Sequence, residues 1–307
     1  MGDPGTGVAR RVWAALGDDG RTALTSGLAP TDLQSLLLDV AKARASAVTA
    51  ARLAERWTAD RFVRPAPVDP RRLSAVVARM WELLPYEIDG VELSPVTPLG
   101  TCAGLGAADQ NRVLSTVRNT EVVSDLTNVL ALEAARRRRV DAAGPVHLAT
   151  CHRLLRTQKF PDGWSNHFQL FALVSSDRDH GSGRTEADLL TKHLSYWQTV
   201  LQTLLPERNA EVRYSAFSPV LEQRFDDVIL PEVRARSTRE TISWVPDHGR
   251  TRARGYYTGG ALLINVAGDE LGDGGFTDWT AQLLADRKER CLISCMSTER
   301  LAALMAR

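Results

Sequence analysis

Between Val146 and Ser175 the chain reads VHLATCHRLLRTQKFPDGWSNHFQLFALVS, two apolar runs separated by a polar loop. Four residues at the ends of that loop could do chemistry: Arg156 and Gln158 leave the first run, and His167 and Phe168 enter the second. A guanidinium holds phosphate oxygens through two parallel, charge-assisted hydrogen bonds, and an aromatic ring stacks on a base. Such a pairing at one mouth suits a nucleotide. The same residues also read as an arginine at an exposed strand end and a phenylalanine in the core. On these residues alone that plainer reading is favoured.

The elements that must position them follow from the pattern. Residues 146–155 and 167–174 are rich in β-branched, aromatic and aliphatic side chains at strand length, and the Pro, Asp, Gly and Asn between them favour a turn. The unit is expected to be an antiparallel hairpin with a long tip. Upstream, residues 111–139 predict a short extended piece and then a helix whose start is marked by Ser124 and Asp125. Arg136 to Arg139 end that helix and read as a solvated C-terminal turn favoured by the helix dipole; a tRNA contact is the minority reading. Downstream, residues 175–183 predict a loop, EADLLTKHLSYWQTVLQTLL an amphipathic helix, and EVRYSAFS and TISWV further strands of a mostly antiparallel sheet. His180 in that loop reads as solvated.

The first 64 residues predict helices, with Thr31 as an N-cap before a long second one, and form an N-terminal helical extension that packs on the body or on a partner. RPAPVDP, residues 64–70, is a restricted joint, so the main domain is expected over residues 65–307. Asp69 and Pro70 suit a helix start, and Leu73, Val76, Val77, Met80 and Leu84 form the apolar face of the helix that follows. VELSPVTPLG is then an extended run.

With 307 residues, 44% of them hydrophobic and 24% charged, the chain can bury a full core. A formal net charge of +1 supplies no global field to recruit nucleic acid or an anionic membrane. No stretch is long and apolar enough to span a bilayer, and no signal segment opens the chain, so a cytoplasmic protein is expected. Cys102, Cys151, Cys291 and Cys295 lack metal-ligand spacing and read as reduced thiols. No structural metal is expected.

Arg156-x-Gln158, with Phe168 twelve residues beyond the arginine, resembles motif 2 of class II aminoacyl-tRNA synthetases, most closely the histidyl type. Four further stretches resemble that family in its order. The helix and proline-containing strand over residues 70–98 are similar to motif 1. Asp125-Leu126-Thr127 has the acid-x-Thr spacing of the stretch that binds the substrate α-amine, where a carboxylate and a hydroxyl can share an ammonium. RTRARGYYTGG resembles the histidyl signature, and Asp273-Gly-Gly-Phe-Thr-Asp278 has the spacing of its Gly-Gly-x-x-Asp. Ser297-Thr-Glu299-Arg300 resembles motif 3.

The resemblance implies an α+β fold, an antiparallel sheet flanked by helices, usually dimeric. It implies ATP-dependent activation of an amino or related carboxylic acid as its adenylate, with Mg²⁺ bridging the phosphates through ligands the sequence leaves open. Arg156 would hold the α-phosphate, Gln158 and Phe168 the adenine, and Glu299 and Arg300 the far phosphates. Arg252 would support the charge developing at the reacting carboxylate. Asp125, Thr127, Tyr256, Tyr257, Gly274 and Gly275 would line the acid pocket. Gln158 stands where an acid is usual, Ala253-Arg254 where Gly-Leu is usual, and Ser297 where motif 3 has glycine. Leu170 and Val174 stand where the histidyl family has a glutamine and a glutamate, which points to a less polar acid than histidine. The chain ends shortly after the motif 3 stretch, so an anticodon-binding domain is expected to be absent and housekeeping tRNA charging is disfavoured. The acceptor stays open among an amine, a carrier protein and tRNA. The alternative is a non-catalytic paralogue that senses a ligand, like the regulatory subunit of ATP phosphoribosyltransferase.

Overall fold

The computed structural model describes residues 7–106, 109–161, 163–251, 253 and 255–306. Helical periodicity at the N-terminus becomes α1 (Gly7–Thr22), α2 (Pro30–Ser46) and α3 (Ala50–Ala59), and none of the three has a buried residue. Thr31 is not the expected cap. Pro30 takes the first helical position after Ala29, which has no side chain to cap with, and the long second helix divides at Thr49, whose Oγ1 accepts from the Arg52 amide at 3.4 Å.

From α4 (Pro70–Glu82) onward the chain builds one sheet and its cover. Asp69 caps α4 as its residue type demands, Oδ1 accepting from the Arg71 amide at 3.0 Å. Next come β1 (Asp89–Gly90), β2 (Val96–Pro98), α5 (Thr101–Gly106), β3 (Thr120–Val122) and α6 (Leu126–Val140). The hairpin is β4 (Val146–Leu155) and β5 (His167–Arg178). It is followed by α7 (Arg184–Leu204), β6 (Ala210–Ala216), α8 (Pro219–Arg224), α9 (Leu230–Ala235) and β7 (Ile242–Pro246). Last are β8 (Gly260–Val266), β9 (Asp269–Thr277), α10 (Trp279–Leu284), β10 (Glu289–Ser297) and α11 (Thr298–Met305).

Eight strands pair in the order β1-β4-β5-β10-β9-β8-β6-β7, antiparallel except for β1 with β4 and β6 with β7. Strand alternation divides the interior in two. Phe171 and Leu173 of β5 join the core under α7, where Trp81, Phe171, Tyr196 and Trp197 pack ring on ring. Leu170, Ala172 and Val174 face the other way, into a second core with Leu126, Leu130 and Ala134 of α6 and Trp279 of α10.

β5 runs four residues past the expected end at 174. Ser175 and Ser176 stay in the strand because the interior satisfies them. Ser175 Oγ lies 2.7 Å from His147 Nδ1 and 2.9 Å from His193 Nε2, and His193 Nδ1 lies 2.8 Å from Ser294 Oγ, which also accepts from Trp197 Nε1. Burial pushes both histidines below their ordinary range, His147 to about 4. On the opposite face Arg138 corrects the reading of a solvated arginine run. It is buried, and its Nη2 and Nε meet Glu289 at 2.7 and 3.1 Å while Nη1 donates to the Ala142 and Gly144 carbonyls.

Two predictions come from these buried groups. Arg138→Met strands the Glu289 carboxylate and should cost about 3–5 kcal/mol, whereas Arg138→Met with Glu289→Leu should recover most of that loss, read from urea midpoints. His193 is protonated in the unfolded chain below pH 6.5 but resists protonation when folded. The unfolded state therefore binds the extra proton, and stability should fall on acidification by about 1.4 kcal/mol per pH unit below that point, a slope that His193→Gln should reduce.

Candidate functional site

On the α6 face, beside the hairpin mouth, a cavity of about 420 Å³ opens. Its rim is built by two local signals that the sequence carries openly. Asp125 caps α6, Oδ1 accepting from the Thr127 amide at 2.9 Å and from its hydroxyl at 2.7 Å. Arg156 sits where β4 ends, donates through Nε to the Ser124 carbonyl at 2.9 Å, and brings Nη2 to 3.9 Å from Asp125 Oδ2. Among the described residues its two Nη groups make no hydrogen bond, so they can take an anion. The Phe168 ring lies 5.5 Å from the same guanidinium, and Gln158 joins the lining.

The floor comes from the sheet. Asp273 of β9 stands opposite Cys295 of β10, and both point into the cavity with Ile293, Tyr256 and Tyr257. Tyr257 Oη donates to Asp273 Oδ2 at 3.3 Å, and the Cys295 thiol lies 3.5 Å from Oδ1. Burial, and then the neighbouring Glu270 carboxylate, push the Asp273 carboxyl up, against a smaller opposing pull from Arg156. Burial likewise raises both phenols and the Cys102 and Cys295 thiols, so at neutral pH these thiols are protonated and poor nucleophiles. Ser124 also lines the cavity, and its buried Oγ has no hydrogen-bond partner among the described residues. A more open depression of about 450 Å³ shares Tyr257 but offers Glu222 as its charged group, whose Oε1 lies 3.5 Å from His248 Nδ1.

The structure thus gathers Asp125, Thr127, Arg156, Gln158, Tyr256 and Tyr257 in one lining. It places the other expected residues elsewhere. Leu170 and Val174 are buried in the α6 core and do not line the cavity. Gly274 and Gly275 lie within β9, not in a turn; the approach they allow is to neighbouring chain, since a Cβ on Gly274 would meet the Ile293 carbonyl and one on Gly275 the Gly260 carbonyl and the Tyr257 ring. Glu299 is paired with Arg153 at 2.6 Å. Arg300 donates to the Glu270 carbonyl and lies 4.3 Å over the Trp164 ring, touching the cavity through Glu270. Ser297 caps α11, Oγ accepting from the Arg300 amide at 3.3 Å. Arg252 lies outside the described residues.

Sequence reasoning missed Asp273 as a cavity residue, and it missed Glu121. The Glu121 carboxylate is fully buried and accepts from the Gly100 and Cys102 amides and from Gln110 Nε2, each at 2.9 Å, which fixes the segment carrying Cys102 against the cavity. An acid in a strand flanked by Thr120 and Val122 carries no local signal of that role. For the site as a whole, Gly275→Ala should displace Tyr257 and lower stability by about 1–3 kcal/mol, with a changed near-ultraviolet tyrosine signal; an unchanged melt and spectrum would refute this packing.

No protein-family model matches the chain, and no curated protein matches it in sequence. Solved structures do match its fold. An ATP phosphoribosyltransferase regulatory subunit/histidyl-tRNA synthetase from Bacillus halodurans superposes with a TM-score of 0.58 at 11% identity, over 80% of this chain and 83% of that one. A histidine–tRNA ligase subunit from Alicyclobacillus acidocaldarius gives 0.57 at 12%, over 79% and 95%. Apo histidyl-tRNA synthetase from S. aureus gives 0.54 at 13%, over 77% of this chain and 65% of that enzyme. The fold is therefore that of the class II aminoacyl-tRNA synthetase-like proteins.

Proposed function

We propose that this protein activates an amino acid or related carboxylic acid as its acyl-adenylate with ATP and Mg²⁺, then passes the acyl group to an amine, a carrier protein or tRNA. The observation that carries the reading is the meeting of opposed charges in one partly buried cavity: Asp125 and Thr127 beside Arg156, above a floor of tyrosines. In this reading Asp125 and Thr127 receive the α-ammonium, and the free Nη groups of Arg156 hold the α-phosphate and steady charge at the reacting carboxylate. Phe168 and Gln158 flank the adenine, and Arg300 and Glu299 serve the far phosphates after leaving their present partners. Arg252 adds positive charge at the reacting carboxylate. Mg²⁺ would accompany the ATP phosphates and supply positive charge there. Residues 65–307 form the catalytic domain, working as a cytoplasmic homodimer, and residues 1–64 a helical extension.

A second reading, a ligand-sensing subunit without catalysis, is favoured by the motif 3 residues. The Arg300 guanidinium is occupied by Glu270 and Trp164, and Glu299 by Arg153. One assay separates the two. Acid-dependent ATP–pyrophosphate exchange, reduced by about 10²-fold or more in Arg156→Ala, is expected of the enzyme. Binding of an amino acid by calorimetry, with no exchange and no ATP binding, would replace it with the sensor.

A further inference from the structure

Among the described residues no cation forms an ion pair with Asp273. The residue lies at the cavity floor, and its two oxygens have a phenol at 3.3 Å and a thiol at 3.5 Å, long contacts to neutral donors. Neither brings positive charge. The other carboxylates of the lining, Asp125 and Glu270, share its sign; of the described arginines in the lining, Arg156 is turned to Ser124 and Asp125, and Arg112 makes no ion pair with Asp273. A half-buried carboxylate with only neutral donors beside it gains when a cation arrives to pair with it. An apolar side chain seated over it would strip its remaining water at a cost, while an ammonium would remove that cost.

We propose that the cavity selects amino acids that carry a second amine on the side chain, with Asp273 receiving the distal ammonium. The ligand spans two acidic points: its α-ammonium meets Asp125 and Thr127 at the rim, and its methylene chain lies along Tyr256, Tyr257 and Ile293 down to Asp273. This rests on the reading of the cavity as an amino-acid site, and it replaces the less polar acid that Leu170 and Val174 suggested. Those two residues sit in the core and do not decide the pocket's polarity; the floor does.

The test is calorimetry on the full chain with L-2,4-diaminobutyrate, L-ornithine, L-lysine and, as the uncharged comparison, L-norleucine. At least one diamino acid should bind ten-fold or more tighter than norleucine, and Asp273→Asn should cut that ratio ten-fold or more. Should the asparagine variant fail to fold, Asp273→Glu carries the test. Its carboxylate reaches one methylene further, so the preferred diamino acid should become one methylene shorter. Norleucine binding as tightly as every diamino acid, or a ratio that survives Asp273→Asn, or an unmoved chain-length preference in Asp273→Glu, overturns the selectivity and leaves the amino-acid site standing. Silence from all four ligands overturns both.

Discussion

The pairing of β10 between β5 and β9 is the constraint on which the rest of the molecule depends. Strand side chains alternate, so a slip of one residue would turn every one of them to the opposite face. In the observed register Leu292 and Met296 enter the α7 core, while Ile293 and Cys295 face α6 and the cavity. The same register sets Asp273 beside Cys295. Gly274 and Gly275 make it attainable, because any side chain there would collide with the neighbouring strand or with Tyr257. The glycine pair therefore acts on the site through the sheet.

Buried polar groups hold that register from both sides. Glu289 at the start of β10 is tied to Arg138 of α6, and Ser294 in its middle to His193 and Trp197 of α7. Such groups tolerate few alternative arrangements, since each partner left unmatched in the interior costs more than a matched pair gains. They also explain why a strand with serines at 175 and 176 continues where a loop is expected.

The cavity inherits its electrostatics from this frame. Asp125 and Arg156 come from a helix cap and a strand end, positions that local chain geometry dictates, and their opposed charges sit close without forming a tight pair. Glu121, locked by three donors, braces the segment that carries Cys102 against the same opening. The polar rim is thus braced by a wholly buried acid that does not itself line the cavity.

Much of this was legible in the residues themselves. The hairpin, the Asp69 and Asp125 caps, the long amphipathic helix and the strand–helix unit around Ser297 are all encoded within a few neighbours, by side-chain periodicity and by capping oxygens. So was the gathering of Asp125, Thr127 and Arg156, because a cap and a strand end brought them forward in family order. Other features were decided by partners far along the chain. Arg138 is one of four consecutive arginines and is buried only because Glu289, 151 residues away, meets it across the sheet. Asp273 stands in its segment only as the residue before two glycines and becomes a cavity floor when β9 pairs with β10. Leu170 and Val174 read as pocket residues by position, yet α6 covers them. A sequence states what each segment can form on its own; which face is covered, and by which distant charge, is set by the packing of the sheet.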